Sequence, residues 1–172
     1  MGKAYELKCS QCEYGISVLE GFGFAYSPDA VFFGHCDDPT QNWSVACPDG
    51  YCEKDKPYLL ELVDDEVIRD KAFELLANGA TPDNYGHELY ACPKCMRLAN
   101  RFYFELMSPN EQFVPDYKCL ACKTSLLRVK VLRERNGRGK IVYRNNHQAN
   151  WKCPECGCAK LVFVRGSIRN WD

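Results

Sequence analysis

Four Cys-x-x-Cys pairs, at Cys9/Cys12, Cys92/Cys95, Cys119/Cys122 and Cys153/Cys156, constrain this 172-residue chain more than any other feature. Each pair puts two thiols on one tight turn, where both sulfurs can reach a single ion. Two such turns complete the tetrahedral four-thiolate set that structural zinc prefers. Eight ligands therefore predict two Zn(II) ions. A four-cysteine site has no open coordination position, which argues for a scaffold and against catalysis at the metal. With 12 cysteines in the chain, small units stapled by metal are expected rather than one large core. Structural zinc contributes on the order of 10–16 kcal/mol to the folding of such units.

The spacing of the pairs suggests how they combine. Tyr5 to Lys8 and Ile16 to Leu19 are short β-favouring runs around the first turn. Glu88 to Tyr90 and Arg101 to Leu106 flank the second. The 30 residues between Cys122 and Cys153 read as a long hairpin, with Leu127, Val129 and Val131 alternating with Arg128, Lys130 and Leu132. Its turn falls at Asn136-Gly137-Arg138-Gly139, and Ile141 to Tyr143 return. Sequential pairing, Cys9/Cys12 with Cys92/Cys95 and Cys119/Cys122 with Cys153/Cys156, is topologically the simpler solution. The alternative joins Cys92/Cys95 to Cys119/Cys122 and makes the two chain ends share a metal.

The expected architecture is a small metal-bound, β-rich α+β fold of two tandem zinc ribbons. Residues 1–106 form the first, with an insertion at 20–88; residues 107–117 are a linker; residues 118–172 form the second, with the basic hairpin. The insertion holds a Gly-aromatic stretch, GFGFAYSP, and a helix near 65–77. Asp64 or Asp65 would cap that helix, Val67, Ile68, Ala72, Leu75 and Leu76 would form its apolar face, and Asn78-Gly79 would stop it. The aromatics Phe22, Phe24, Tyr26, Phe32 and Phe33 would fill a small core or anchor a partner. His35, Cys36, Cys47 and Cys52 form a candidate third metal site, set against a plainer reading as buried small side chains, because their spacing matches no compact knuckle. Cys158 reads as a packed thiol, and His87 and His147 as solvated or capping side chains.

Net charge is −1, but residues 1–91 carry 6 Lys/Arg against 17 Asp/Glu and residues 92–172 carry 16 against 6. The two halves would either dock on each other or leave a basic face for a polyanion. Arg128, Lys130, Arg133, Arg135, Arg138, Lys140 and Arg144, with Tyr143 and Trp151 for stacking, are the candidate nucleic-acid-binding residues. The alternative is a protein-interaction adaptor acting through the acidic, aromatic insertion. No Gly-rich phosphate loop, zinc-protease helix motif or nucleophile with a convincing base occurs, so a non-catalytic role is expected. The N-terminal residues lack the apolar run of a signal peptide and no stretch reaches the length of a membrane helix, which predicts a cytoplasmic protein that does not engage membranes.

The order of features resembles uncharacterised bacterial proteins with tandem zinc ribbons. It comprises a knuckle at Cys9/Cys12, GFGFAYSP at 21–28, a helix near 65–77, then ACPKC at 91–95, KCLAC at 118–122 and KCPEC at 152–156. The resemblance implies architecture and zinc but no activity. The knuckles are also rubredoxin-like, the first having Tyr14 two residues after Cys12. Rubredoxins keep their knuckles much closer than the 79 residues separating Cys12 from Cys92, which leaves iron electron transfer a remote alternative.

Overall fold

A computed structural model describes residues 2–23, 26–34, 56–144 and 149–171. The candidate third site at His35, Cys36, Cys47 and Cys52 lies outside the described residues, as do Phe24 and His147. The chain divides into two compact units, one of residues 1–23, 85–103 and 115–172, the other of residues 24–84 and 104–114.

The first unit is a mostly antiparallel sheet. Its strands are β1 (Gly2–Cys9), β2 (Gly15–Glu20), the Cys-proximal parts of β3 (Thr81–Ala91) and β4 (Leu98–Met107), β6 (Leu127–Arg133), β7 (Arg138–Tyr143), β8 (Leu161–Phe163) and β9 (Arg169–Trp171). They lie in the order β2-β1-β8-β7-β6-β3-β4, with β9 also on β1. The period-2 pattern read from the sequence sets the face. Tyr5, Leu7 and Cys9 of β1 are buried in alternation, and Leu89, Val129, Ile141 and Leu161 from the neighbouring strands join the same core. The registers are Leu7↔Ile16 for β1–β2, Cys9↔Leu161 for β1–β8, Val131↔Ile141 for β6–β7 and Ala91↔Leu127 for β3–β6. The β6–β7 hairpin closes where Asn136-Gly137 predicts. Gly137 adopts φ 80°, and the Asn136 side-chain oxygen accepts from the Arg138 N–H at 2.9 Å.

The second unit holds a π turn at Asp29–Phe33, α1 (Leu59–Leu62), α2 (Glu66–Ala77), the distal parts of β3 and β4, and β5 (Gln112–Phe113), which pairs with β4 through Leu106↔Phe113. Helix α2 begins as expected, with the Asp65 carboxylate accepting from the backbone N–H groups of Val67 and Ile68 at 3.1 and 3.2 Å. It ends in a Schellman motif, with Ala80 N–H on Leu75 O, Gly79 N–H on Leu76 O and Gly79 at φ 85°. Its buried stripe is Ile68, Ala72 and Leu75. Val67, expected on that stripe, is 80% exposed, because it sits one position off the i, i+4, i+7 row. Of the aromatic stretch, Phe32 fills this unit's core, fully buried with its ring edge-on to Phe104 at 5.8 Å; Tyr26 and Phe33 are half-buried, Tyr26 meeting Tyr58 at 5.6 Å, and Phe22, in the first unit, is 41% exposed.

Candidate metal centres and the basic face

All four knuckles share one local bond, from the N–H of the first cysteine to the carbonyl five residues on: Cys9 to Tyr14, Cys92 to Arg97, Cys119 to Thr124 and Cys153 to Cys158. In three of them the residue after the second cysteine also turns back, its N–H donating to the first cysteine's carbonyl: Met96, Lys123 and Gly157. That turn requires left-handed backbone, and the three residues adopt φ of 61°, 57° and 73°. Only Gly157 does so without a steric cost. The first knuckle, with Glu13 at this position, closes on the Tyr14 bond.

The knuckles combine into two four-cysteine groups, Cys9/Cys12/Cys153/Cys156 and Cys92/Cys95/Cys119/Cys122, and each could hold a metal ion. This corrects the sequential pairing, in which Cys9/Cys12 would meet Cys92/Cys95 and Cys119/Cys122 would meet Cys153/Cys156. The reason lies in the strand order. Each knuckle sits at a strand end, so knuckles meet when their strands are neighbours. β1 runs into Cys9 and pairs with β8, which follows Cys156, and the Ser10 N–H donates to Lys160 O at 3.1 Å beside the two turns. β3 runs into Cys92 and pairs with β6, which follows Cys122. The β6–β7 register, if continued, would set Cys119 opposite Cys153. The ladder stops at Tyr143 instead; the Ala149 N–H donates to Ile141 O at 3.1 Å, and Trp151 is buried in the core. Trp151 is only 6% exposed, packs against Tyr14 and donates its indole N–H to Met96 O at 2.7 Å.

Sulfur spacing tests whether a metal suits these groups. The Cys9–Cys156 and Cys12–Cys153 sulfurs lie 3.5 Å apart, as do those of Cys95 and Cys119, and Cys92 and Cys122 are at 3.3 Å. In each group all four sulfurs lie within 4.8 Å of one another. A tetrahedron with metal–sulfur bonds of about 2.3 Å has edges of about 3.8 Å, whereas a disulfide needs about 2.05 Å. The groups therefore match a tetrahedral four-thiolate set and not a pair of disulfides. Thiols this close cannot all ionise without a cation. The Thr124 side chain and backbone N–H hold Cys122 down to about 6. At Cys12 the Tyr14 backbone N–H favours the thiolate, but burial and the neighbouring sulfurs together outweigh it and push the thiol up to about 12. Burial and neighbouring sulfurs likewise hold Cys95 up at about 12. A bound divalent cation would take the place of those shared protons.

Two contacts link the surroundings of the two groups. Trp151, just before Cys153, bonds the carbonyl of Met96, just after Cys95. The Tyr14 hydroxyl accepts from the Leu98 N–H at 3.2 Å. Cys158 packs against the same core, with its sulfur 3.8 Å from the Ser10 hydroxyl. His87 is not the solvated side chain expected: its ring lies edge-on to Phe102 at 5.4 Å, and burial lowers its pKa.

The candidate nucleic-acid residues divide sharply. Trp151 is a core side chain and not a stacking platform, since its ring is buried. Tyr143 is half-buried against the core. Arg128 makes two bonds to the Glu88 carboxylate at 3.1 Å and lies over the Tyr103 ring at 3.3 Å; Arg144 also pairs with Glu88, its Nε at 2.8 Å. Both are engaged within the fold, where the one Glu88 carboxylate offsets one of their two positive charges. Arg133 sits over Phe163 at 5.5 Å. Lys130, Arg135, Arg138 and Lys140 make no ion pair among the described residues. Lys152 and Lys160, outside the hairpin in sequence, join this basic region, lining one cavity with Arg138 and Lys140. Their signal in the sequence was their position flanking the last knuckle. No helix among the described residues is long and apolar enough to cross a membrane. No family model matches the chain, and no curated protein or solved structure is significantly similar to it.

Proposed function

We propose that this chain is a non-catalytic zinc-binding protein whose two four-cysteine sites build a scaffold for a basic face that meets nucleic acid. The observation that carries the first part is the pair of closed sulfur groups. Each offers four soft donors at tetrahedral spacing with no open position for substrate or water, the donor set that suits redox-silent Zn(II) in a structural role. Support for the second part is the group Arg138, Lys140, Lys152 and Lys160, gathered around one cavity and without an ion pair among the described residues. The adaptor reading draws less support, since Phe32, the bulkiest fully buried side chain of the aromatic stretch, is spent on the core against Phe104.

Elemental analysis of the purified protein tests the metal: two equivalents of zinc are expected, and iron or a single equivalent would overturn it. Fluorescence anisotropy with labelled DNA and RNA across salt concentration tests the partner. Micromolar or tighter binding with a steep salt slope is expected, and no binding at low salt would remove nucleic acid from the reading.

A further inference from the structure

The four cations Arg138, Lys140, Lys152 and Lys160 stand around one cavity of about 650 Å³, whose wall also includes Glu134 and Trp151. Three separate chain segments supply them: strand β7, the stretch leading into Cys153, and the stretch leading into β8. Among the described residues none of the four makes an ion pair, so four positive charges face a single carboxylate. A row of lysines on a convex strand face is sufficiently explained by solubility. Charges of one sign gathered around a concavity are not, because low-dielectric walls focus their field into the space between them. The walls are also held in place. Lys152 adjoins the ligand Cys153, and Lys160 is fixed to the first knuckle through its carbonyl on Ser10 N–H.

Resting on the reading that the basic face meets nucleic acid, we propose that this cavity is the phosphate-binding site, and that it takes the phosphodiester backbone of a single strand. A single strand can bend into a concave site and lay consecutive phosphates against cations supplied by separate chain segments, whereas a duplex presents a convex, stiff backbone. The base faces are left without a stacking partner here, because Trp151 is consumed by the core. Affinity at this site is therefore electrostatic and tolerant of sequence.

Four phosphate contacts to a single strand give a slope of log K against log salt of about −2.8. The test compares the zinc-loaded wild type with Lys152→Gln/Lys160→Gln and with Arg133→Gln/Arg135→Gln, a pair outside the cavity. Each binds a labelled single-stranded oligonucleotide and its duplex, with zinc content measured alongside to show that the scaffold is intact. The cavity variant should lose about 1.4 from the magnitude of the slope and bind about 25-fold more weakly at 0.1 M salt, while the hairpin variant stays within a few-fold of wild type. Loss confined to the hairpin variant would overturn the cavity and leave the nucleic-acid reading standing. Duplex bound as tightly as single strand would overturn the single-strand assignment. Wild type that fails to bind at low salt would overturn both readings together.

Discussion

Two double variants decide how the knuckles share their metals, because the alternative pairings predict opposite zinc counts. Cys119→Ser/Cys153→Ser breaks both four-cysteine groups of the structure but only one of a sequential pair. Cys9→Ser/Cys153→Ser breaks one group of the structure but both of a sequential pair. Zinc measured by elemental analysis after gel filtration should therefore fall from two equivalents to none in the first variant and to one in the second. The single variants should differ in stability as well as in place. The Cys9/Cys12/Cys153/Cys156 group joins residues 141 and 147 positions apart, whereas the other group joins residues 24 and 30 apart. Loop-closure entropy scales as (3/2)RT ln n, so the chain-end group restrains the unfolded chain by about 1.6 kcal/mol more. Cys153→Ser should accordingly lower the urea midpoint further than Cys119→Ser, each variant being compared with the zinc-loaded wild type. One equivalent of zinc retained by Cys119→Ser/Cys153→Ser would refute the pairing and the strand order from which it follows.

Further tests address single contacts. Trp151→Phe keeps an aromatic ring but removes the N–H that satisfies Met96 O; a loss of about 1–2 kcal/mol in urea denaturation is expected, and an unchanged midpoint would show the bond to be idle. Lys123→Gly relieves a left-handed backbone at a non-glycine residue and should stabilise the second site by about 0.5 kcal/mol, the steric gain exceeding glycine's added unfolded-state entropy. His87 has its pKa lowered by burial, so the unfolded state binds the extra proton, and the stability it supports is lost as pH falls through about 6.5. His87→Phe should lose less stability than wild type between pH 7.5 and pH 5.5, and equal losses would clear His87 of the effect. Glu88→Gln frees Arg128 and Arg144 from their shared carboxylate; polyanion affinity should rise and its salt slope steepen by up to about 1.4, and a weaker complex would contradict the pairing.

What could be read from the sequence was whatever a few neighbouring residues decide. The knuckle turns follow from two cysteines and the backbone bonds between them. Helix α2 follows from Asp65 at one end, Gly79 at the other and the spacing of Ile68, Ala72 and Leu75. The β6–β7 hairpin follows from alternation on either side of Asn136-Gly137. Which knuckle meets which could not be read that way, because it depends on β8 inserting between β1 and β7 and on β6 pairing with β3. One signal was present: Cys122 lies close before Leu127, whereas the return from Tyr143 to Cys153 is longer and contains Trp151, a large apolar residue that needs a core. The basic face was misjudged for the same reason. Arg128 and Arg144 look like free cations until the fold brings Glu88 between them, and Lys152 and Lys160 look incidental until the last knuckle folds back beside β7.

The span of the Cys9/Cys12/Cys153/Cys156 group sets a timetable during synthesis. The group built on Cys92, Cys95, Cys119 and Cys122 can close once residue 122 has left the ribosome, with its strands β3 and β4 already made. The other cannot close until Cys156 emerges, 34 residues later, and β1 has no partner on its β8 and β9 side before then. At about 5–20 residues per second the wait is a few seconds from residue 122, and longer counted from Cys12. Throughout it Cys9 and Cys12 stand as an open dithiol on the nascent chain, exposed to oxidants and to competing soft metals.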